Sequence, residues 1–455
     1  MTPAPTLRKE VRSLTRLAAP VVVTQIGYML TGFVDTAMLG HYSTTDMSAA
    51  GLGNLWMMVF QVFAMGVLFG IDPIVSQAHG AKRGERAGLA LQQGLVLTIP
   101  VGLLTALSWL FTERGLILIG QDPGLAPLAE RYALLNLPGL LPFFVFIVLR
   151  SYLQGREIVR PAMWLMLAAN VFNFFANWVL VFGELGVPEL GLAGSAIATS
   201  LSRTLMCIAL ALWIVKGKLH VGAWSGWTRR AFERKGLRAV LGLGLPTGFQ
   251  MSFEIWAFLI IATWAGWLGD LPLATHIVVI QLASLTYMVP LGISIGATTR
   301  MGNLIGADEP QAAQRSAWAA FAMGAAVMLT IGASFWIFRD SLPRLISNDP
   351  AVLAAATALI PIAAAFQLSD GTQCVGSGIL RGMGRTRPAA FFNLFAYYVL
   401  ALPVAWFLAF RAELGVHGLW WGLFAGLTTA ALLLLAYVKT RGPAHVDARV
   451  LADAS

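Results

Sequence analysis

Asp35, Glu254 and Asp370 are ionisable groups set inside long apolar runs: LTGFVDTAMLG, TGFQMSFEIWAFLII and PIAAAFQLSDGTQCVGSG. If those runs cross a membrane, each carboxylate must face a protein-lined or watery cavity, because an ionised group facing lipid costs several kcal/mol or more. An acid at that depth can hold a proton, an inorganic cation or a cationic molecule. Amide and phenol side chains accompany the acids. Asn170, Asn173 and Asn177 recur at spacings that put them on one helix face, and Gln25, Gln250, Gln281, Tyr287 and Gln367 lie in other apolar runs.

The elements that must position these groups are membrane helices. The chain of 455 residues is 57% hydrophobic and only 12% charged, with mean hydropathy +0.72. A soluble globular protein carries about 25% charged residues. Twelve runs of helix-spanning length fit, near residues 15–39, 48–78, 89–112, 126–152, 161–183, 190–215, 237–266, 272–298, 312–337, 352–380, 389–410 and 415–438. Such runs are unlike the short alternating strands of a membrane barrel. The opening run follows Arg8, Lys9, Arg12 and Arg16; it is too long for a signal-peptide core and is expected to stay as a span.

The net charge of +9 resembles a nucleic-acid signal, but its distribution explains it better. Of 31 Lys and Arg residues, twenty-five fall in alternate connections, among them Lys82, Arg83, Arg156, Arg160, Lys216–Arg238, Arg385 and Arg449. The opposite connections hold Arg114, Arg131, Arg339, Arg344 and Arg411. The excess of positive charge predicts that both termini are cytoplasmic, and no nucleic-acid partner is expected. Arg203 and Arg300 read as cations near inner helix ends that snorkel to the interface, and Asp72, beside Pro73, reads as a helix-end residue. Cys207 and Cys374 read as small core residues, with no disulfide or metal pair.

The two halves repeat. Pro20 corresponds to Pro246 and Gly80 to Gly306 at an offset of 226; Pro161 corresponds to Pro388 and Gly191 to Gly418 at 227. Six-span copies keep one orientation, so the halves are related by an axis along the membrane normal. The expected organisation is a lobe over 1–215, a basic linker over 216–236, a second lobe over 237–440 and a polar tail over 441–455. The acids do not repeat: at the same offset Asp35 meets Ile261, Glu254 meets Tyr28 and Asp370 meets Phe143. Residue counts to the nearest charged positions put Glu254 and Asp370 at mid-depth and Asp35 in the outer third. The C-terminal pair is therefore the candidate cation site, able to take Na⁺ or H⁺, and Asp35 a less certain partner. Trp256, Trp264, Phe174 and Phe253 could wall a cavity for flat cations, or simply pack.

In order and spacing, GFVDTAMLG, DPIVSQAHGAKRGE, QGREIVRPAMW, VFNFFANWVLVFG, LPTGFQMSFE and FQLSDGTQCVGSGILRGMGRTRP resemble the multidrug and toxic compound extrusion (MATE) family, specifically its NorM-type branch. The resemblance covers about residues 10–440. It implies an all-α polytopic membrane protein with twelve helices in two pseudo-symmetric six-helix lobes. It also implies Na⁺- or H⁺-coupled antiport of organic cations and other amphipathic compounds, in a bacterial inner membrane and without a resident cofactor. Asp35, Glu254 and Asp370 would be the family's membrane carboxylates. Tyr287, Asn173 and Asn177 fall where the family has supporting polar residues, and Gln250 and Gln281 join the candidate binding set. The DinF-type branch keeps the first acid and lacks the other two. One departure is Phe366, one turn before Asp370, where some members have Tyr.

The alternative is a lipid-linked precursor flippase of the same wider fold, which would want a cationic central cavity. An intramembrane enzyme has no support: HExxH is absent and the six His residues are scattered. Asymmetric halves with unpaired acids fit a carrier better than a channel, and a monomer in the lipid bilayer is expected.

Overall fold

The computed structural model describes residues 7–445 except residue 225; most of the tail expected over 441–455, Arg449 included, lies outside them. Regular structure among the described residues is helical throughout. In chain order the helices are α1 (Leu7–Tyr42), α2 (Thr44–Leu68), α3 (Ile71–Gly80), α4 (Gly84–Trp109), α5 (Thr112–Leu118), α6 (Ala126–Gly155), α7 (Arg160–Phe182) and α8 (Leu192–Lys216). After the linker follow α9 (Arg234–Trp267), α10 (Asp270–Gly306), α11 (Pro310–Ile337), α12 (Pro350–Gly382), α13 (Thr386–Leu394), α14 (Leu402–Trp406) and α15 (Gly415–Arg441). Twelve segments of the described chain are long and apolar enough to cross a membrane. In hydrocarbon a helix satisfies its backbone internally, so each apolar run closes its own hydrogen bonds.

Two of the expected spans are interrupted. The span read over 48–78 breaks at Phe69-Gly70 into α2 and α3, with buried Asp72 in the first turn of α3. A carboxylate there suits the partial positive charge of a helix N-terminus. The span read over 389–410 carries two π segments, Phe395–Ala401 and Phe407–Arg411, flanking α14. Pro403, which cannot donate to the backbone ladder, lies between them. The linker is docked rather than loose. Gln92 of α4 donates to the Gly226 carbonyl at 2.9 Å and accepts from the Thr228 amide at 2.8 Å.

The chain forms two compact units whose borders fall inside α1 and α9. One gathers residues 7–22 with 249–445; the other holds residues 23–248. This division differs from the linear one expected at 216–236, because the opening segments of the two halves are exchanged. Close backbone packing is the cause. A Cβ on Gly66 would lie 2.5 Å from Gly248 Cα, and one on Gly292 would lie 2.9 Å from the Val22 amide. At the offset of 226 these are the same contact made once in each unit. Gly155 against Val75 and Gly382 against Met301 are a second such pair. The repeat seen in the sequence is thus a repeat of contacts.

In the first unit, α10 and α12 are held at backbone distance. Ser294 Oγ donates to the Cys374 carbonyl at 2.7 Å and Thr298 Oγ1 to the Gly378 carbonyl at 2.8 Å. Small residues and interhelical hydroxyl bonds are the means by which helices associate without a hydrophobic drive. A core of Phe366, Tyr397, Trp420 and aliphatic side chains fills the space beyond.

Arg300 does not snorkel. Its guanidinium clasps Glu10 at 2.8 and 3.2 Å, and the Glu10 carboxylate is buried. Removing one partner of a buried pair costs about 3–5 kcal/mol. Because the Arg300 side chain is 20% exposed, Glu10→Ala is expected to cost less, about 2 kcal/mol. A thermal melt of the purified protein reads this, and an unchanged midpoint contradicts it.

Candidate functional site

The C-terminal acids converge. Glu254 from α9 accepts the Tyr287 hydroxyl of α10 on Oε1 at 3.2 Å and the Gln373 amide of α12 on Oε2 at 3.2 Å. Gln373 Nε2 also donates to Asn393 Oδ1 of α13 at 3.4 Å. Asp370 is buried three residues before Gln373, outside this network but within the electrostatic reach of Glu254. Two carboxylates within each other's field repel when both are charged, and a proton or a cation relieves that repulsion. Four helices meet here because Gly378 and Gly382 let α12 approach α10 closely, which brings Asp370 and Gln373 level with Tyr287.

Neutral oxygens surround the pair. Gln373 Oε1 and Tyr397 Oη are buried without a hydrogen-bond partner, and Tyr397 lies within the field of both acids. Tyr397 sits in the first π segment, whose wider turn is frequently found at functional sites. Among the described residues no three His, Cys, Asp or Glu side chains group as a metal cage. A hard cation entering here would therefore rely on the two acids plus phenol and amide oxygens.

Asp35 belongs to a different cluster. Its Oδ1 accepts Asn177 Nδ2 of α7 at 2.8 Å, and its Oδ2 accepts Thr199 Oγ1 of α8 at 2.6 Å. Asn173 donates to Thr199 at 3.3 Å, and Asn170 accepts from Thr31 of α1 at 3.1 Å. The amide face of α7 thus meets α1, so Asn173 and Asn177 serve Asp35 and not the C-terminal pair. Gln250 is buried one turn before Glu254, whereas Gln281 is exposed and takes no part in either network.

Several residues carry more than the sequence suggested. Gln373, Asn393 and Thr199 are ordinary polar residues in apolar runs, and only tertiary contact picks them out. Cys374 lies against Tyr287 at the site. Arg203 is eleven residues after Leu192 and thirteen before Lys216, at mid-helix, where snorkelling cannot reach an interface. Its position was legible from the span boundaries. The aromatic residues mostly pack. Trp264 meets Phe410, Phe253 meets Trp256 and Tyr398, and exposed Phe174 meets Phe175. Phe366 faces away into the core, 5.5 Å from Trp420 between ring centroids.

Comparison with known proteins agrees with this architecture. The MatE family profile matches residues 20–179 and 246–407, one match in each half. Multidrug resistance protein MdtK of Pectobacterium atrosepticum is 31% identical over 462 residues, covering 98% of both chains. Multidrug resistance protein NorM of Burkholderia vietnamiensis is 31% identical, covering 94% of each. Multidrug and toxin extrusion protein 2 of Mus musculus is 31% identical over 96% of this chain and 75% of its own length. Among solved structures, a eukaryotic MATE transporter superposes with a TM-score of 0.90 at 24% identity, over 96% of this chain and 97% of the other. The chain belongs to the MatE family and, within it, to the NorM-type transporters.

Proposed function

We propose that this transporter is a Na⁺- or H⁺-coupled antiporter that exports organic cations and other amphipathic toxic compounds from the bacterial cytoplasm, with both termini on the cytoplasmic side of the inner membrane. One observation carries the reading: Glu254 and Asp370 are held in one unit within each other's field, with Glu254 bonded by the neutral donors Tyr287 and Gln373 and also within the field of Arg381. A pair that repels itself is stabilised by whatever cation enters. A small ion and a cationic drug then compete for the same negative charge. Entry of the ion weakens drug binding, and by linkage the drug weakens ion binding to the same extent. Alternation of access couples that opposition to movement: the ion enters from outside, drug leaves, and the ion is released inside as new drug binds. No resident cofactor is required, because the ion is itself cargo. The Asp35 cluster, satisfied by Asn177 and Thr199, supports substrate contact more than ion binding.

Dye efflux in everted membrane vesicles tests the proposal, with Na⁺ and pH gradients imposed separately. Accumulation of a cationic dye should follow one gradient and vanish when the matching ionophore is added. Accumulation indifferent to both gradients would refute coupling.

A further inference from the structure

The linker between α8 and α9 carries chemistry that a mere connection does not need. Residues 216–238 hold seven Lys and Arg residues against one acid, Glu233, and all seven cations are exposed. Arg229 and Arg230 stand on a 3₁₀ turn, Arg229–Phe232, whose Ala231 is fully buried. They take part in no ion pair among the described residues. Beside them two large apolar side chains face outward: Trp227 is 58% exposed and Phe232 65%.

The backbone beneath these side chains is fixed. Gly84 and Gly88 of α4 meet the Gly222 and Ala223 carbonyls too closely for any Cβ, so the linker lies directly on the first turns of that helix. Arg156 at the end of α6 donates to the Leu219 and Val221 carbonyls. Buried Gln92 bonds Gly226 and Thr228 two turns further along α4, about 12 Å from Gly84 at 1.5 Å per residue. The Trp224 indole donates to the Gly226 carbonyl at 2.9 Å and meets the Trp227 ring edge-on at 6.2 Å. The linker thus runs beside a membrane span instead of looping away into water. Headgroups occupy only about 5–7 Å on each side of the hydrocarbon core. A tip set two turns along α4 is therefore level with the boundary between headgroups and acyl chains.

Charge and depth together select the partner. An indole is at home at the membrane interface, and a guanidinium at headgroup level meets phosphate with two parallel hydrogen bonds. The surplus of cations around Arg229 and Arg230 repels a choline headgroup and favours one of net negative charge. A bare topology signal would need the charges alone, with neither exposed aromatic rings nor a buried glutamine holding the backbone in place. We propose that residues 226–235 form a docking surface for anionic phospholipids, in which Arg229 and Arg230 hold headgroup phosphates while Trp227 and Phe232 enter the acyl boundary beside them. The surface is independent of what the carrier exports.

Photo-crosslinking of the full chain in phosphatidylcholine vesicles tests this. The vesicles carry a photoactivatable phosphatidylglycerol or, in parallel, a phosphatidylcholine with the same reactive acyl chain. Mass spectrometry reads the labelling of residues 219–238 relative to that of α11. Wild type should favour the glycerol headgroup, and joint Arg229→Gln and Arg230→Gln should lower the glycerol-to-choline ratio about tenfold. Joint Arg229→Lys and Arg230→Lys, which keeps the charge, should retain most of it. Salt at about 1 M, where the screening length falls to about 3 Å, should act like the Gln variant. Unaltered labelling of α11 and a monodisperse elution profile report the fold of each variant. Equal labelling of wild type by both lipids, or a ratio that the Gln variant leaves unchanged, overturns the proposal. So does loss of the label to inorganic phosphate at constant ionic strength, which would assign the cations to a soluble anion.

Discussion

Asp370→Asn is expected to lower gradient-driven accumulation of a cationic dye by ~100-fold or more, while the protein still inserts and melts near the wild-type midpoint. Asparagine nearly matches aspartate in shape, so the packing of α12 against α10 survives. What disappears is one of the two charges whose repulsion makes cation entry favourable. Glu254 remains, still bonded by Tyr287 and Gln373, but as a lone acid it holds an incoming ion less tightly. A hundredfold loss corresponds to about 2.7 kcal/mol, within the range expected when a buried like-charge pair is reduced to one. Coupling should fail in a recognisable way. Dye binding to the purified variant should become markedly less sensitive to Na⁺ and to pH, because only the weaker charge of Glu254 is left for ion and dye to share. Wild-type accumulation in this variant would remove Asp370 from the mechanism.

Gly378→Val carries the largest expected structural effect. A Cβ at Gly378 would lie 2.3 Å from the Ser294 carbonyl oxygen and 2.4 Å from Ser294 Oγ. The carbonyl is helix backbone and cannot move aside, so α10 and α12 must part. Parting them breaks the hydroxyl bonds from Ser294 and Thr298 and separates Tyr287 from Asp370. Overpacking a tight core costs about 1–3 kcal/mol when side chains can adjust. Here the obstacle is main chain, and a loss above about 3 kcal/mol is expected, seen as a collapse in monodisperse yield. Gly242→Ala is the control: nothing lies within 4 Å of its Cβ position, and the exchange should be neutral or gain up to about 1 kcal/mol of helix propensity. Equal yields for the two variants would contradict the packing account.

The layout of the acids was legible at first reading because hydrophobicity makes an acid in an apolar run conspicuous. Asp35 separate from Glu254 and Asp370 follows from counting offsets, and the structure places them in different clusters. Gln373, Asn393 and Tyr397 were not legible, since amides and phenols are common in membrane helices and nothing local marks one that faces a cavity. Arg203 was misread from its type rather than its depth: a long cationic side chain suggests snorkelling, but its helix offers no interface within reach.

Length, hydropathy and the repeat are enough to specify twelve helical spans in two matching halves, because lipid leaves the backbone no alternative to internal hydrogen bonding. The distribution of Lys and Arg predicts their orientation, since charge bias acts on each loop independently of packing. Tertiary structure decided which half each opening segment joins, where the helices break and widen, and which polar side chains meet. Those outcomes depend on contacts between residues hundreds of positions apart, such as Gly292 with Val22 and Arg300 with Glu10. No local pattern encodes them, because a glycine reads the same whether it faces lipid or another backbone.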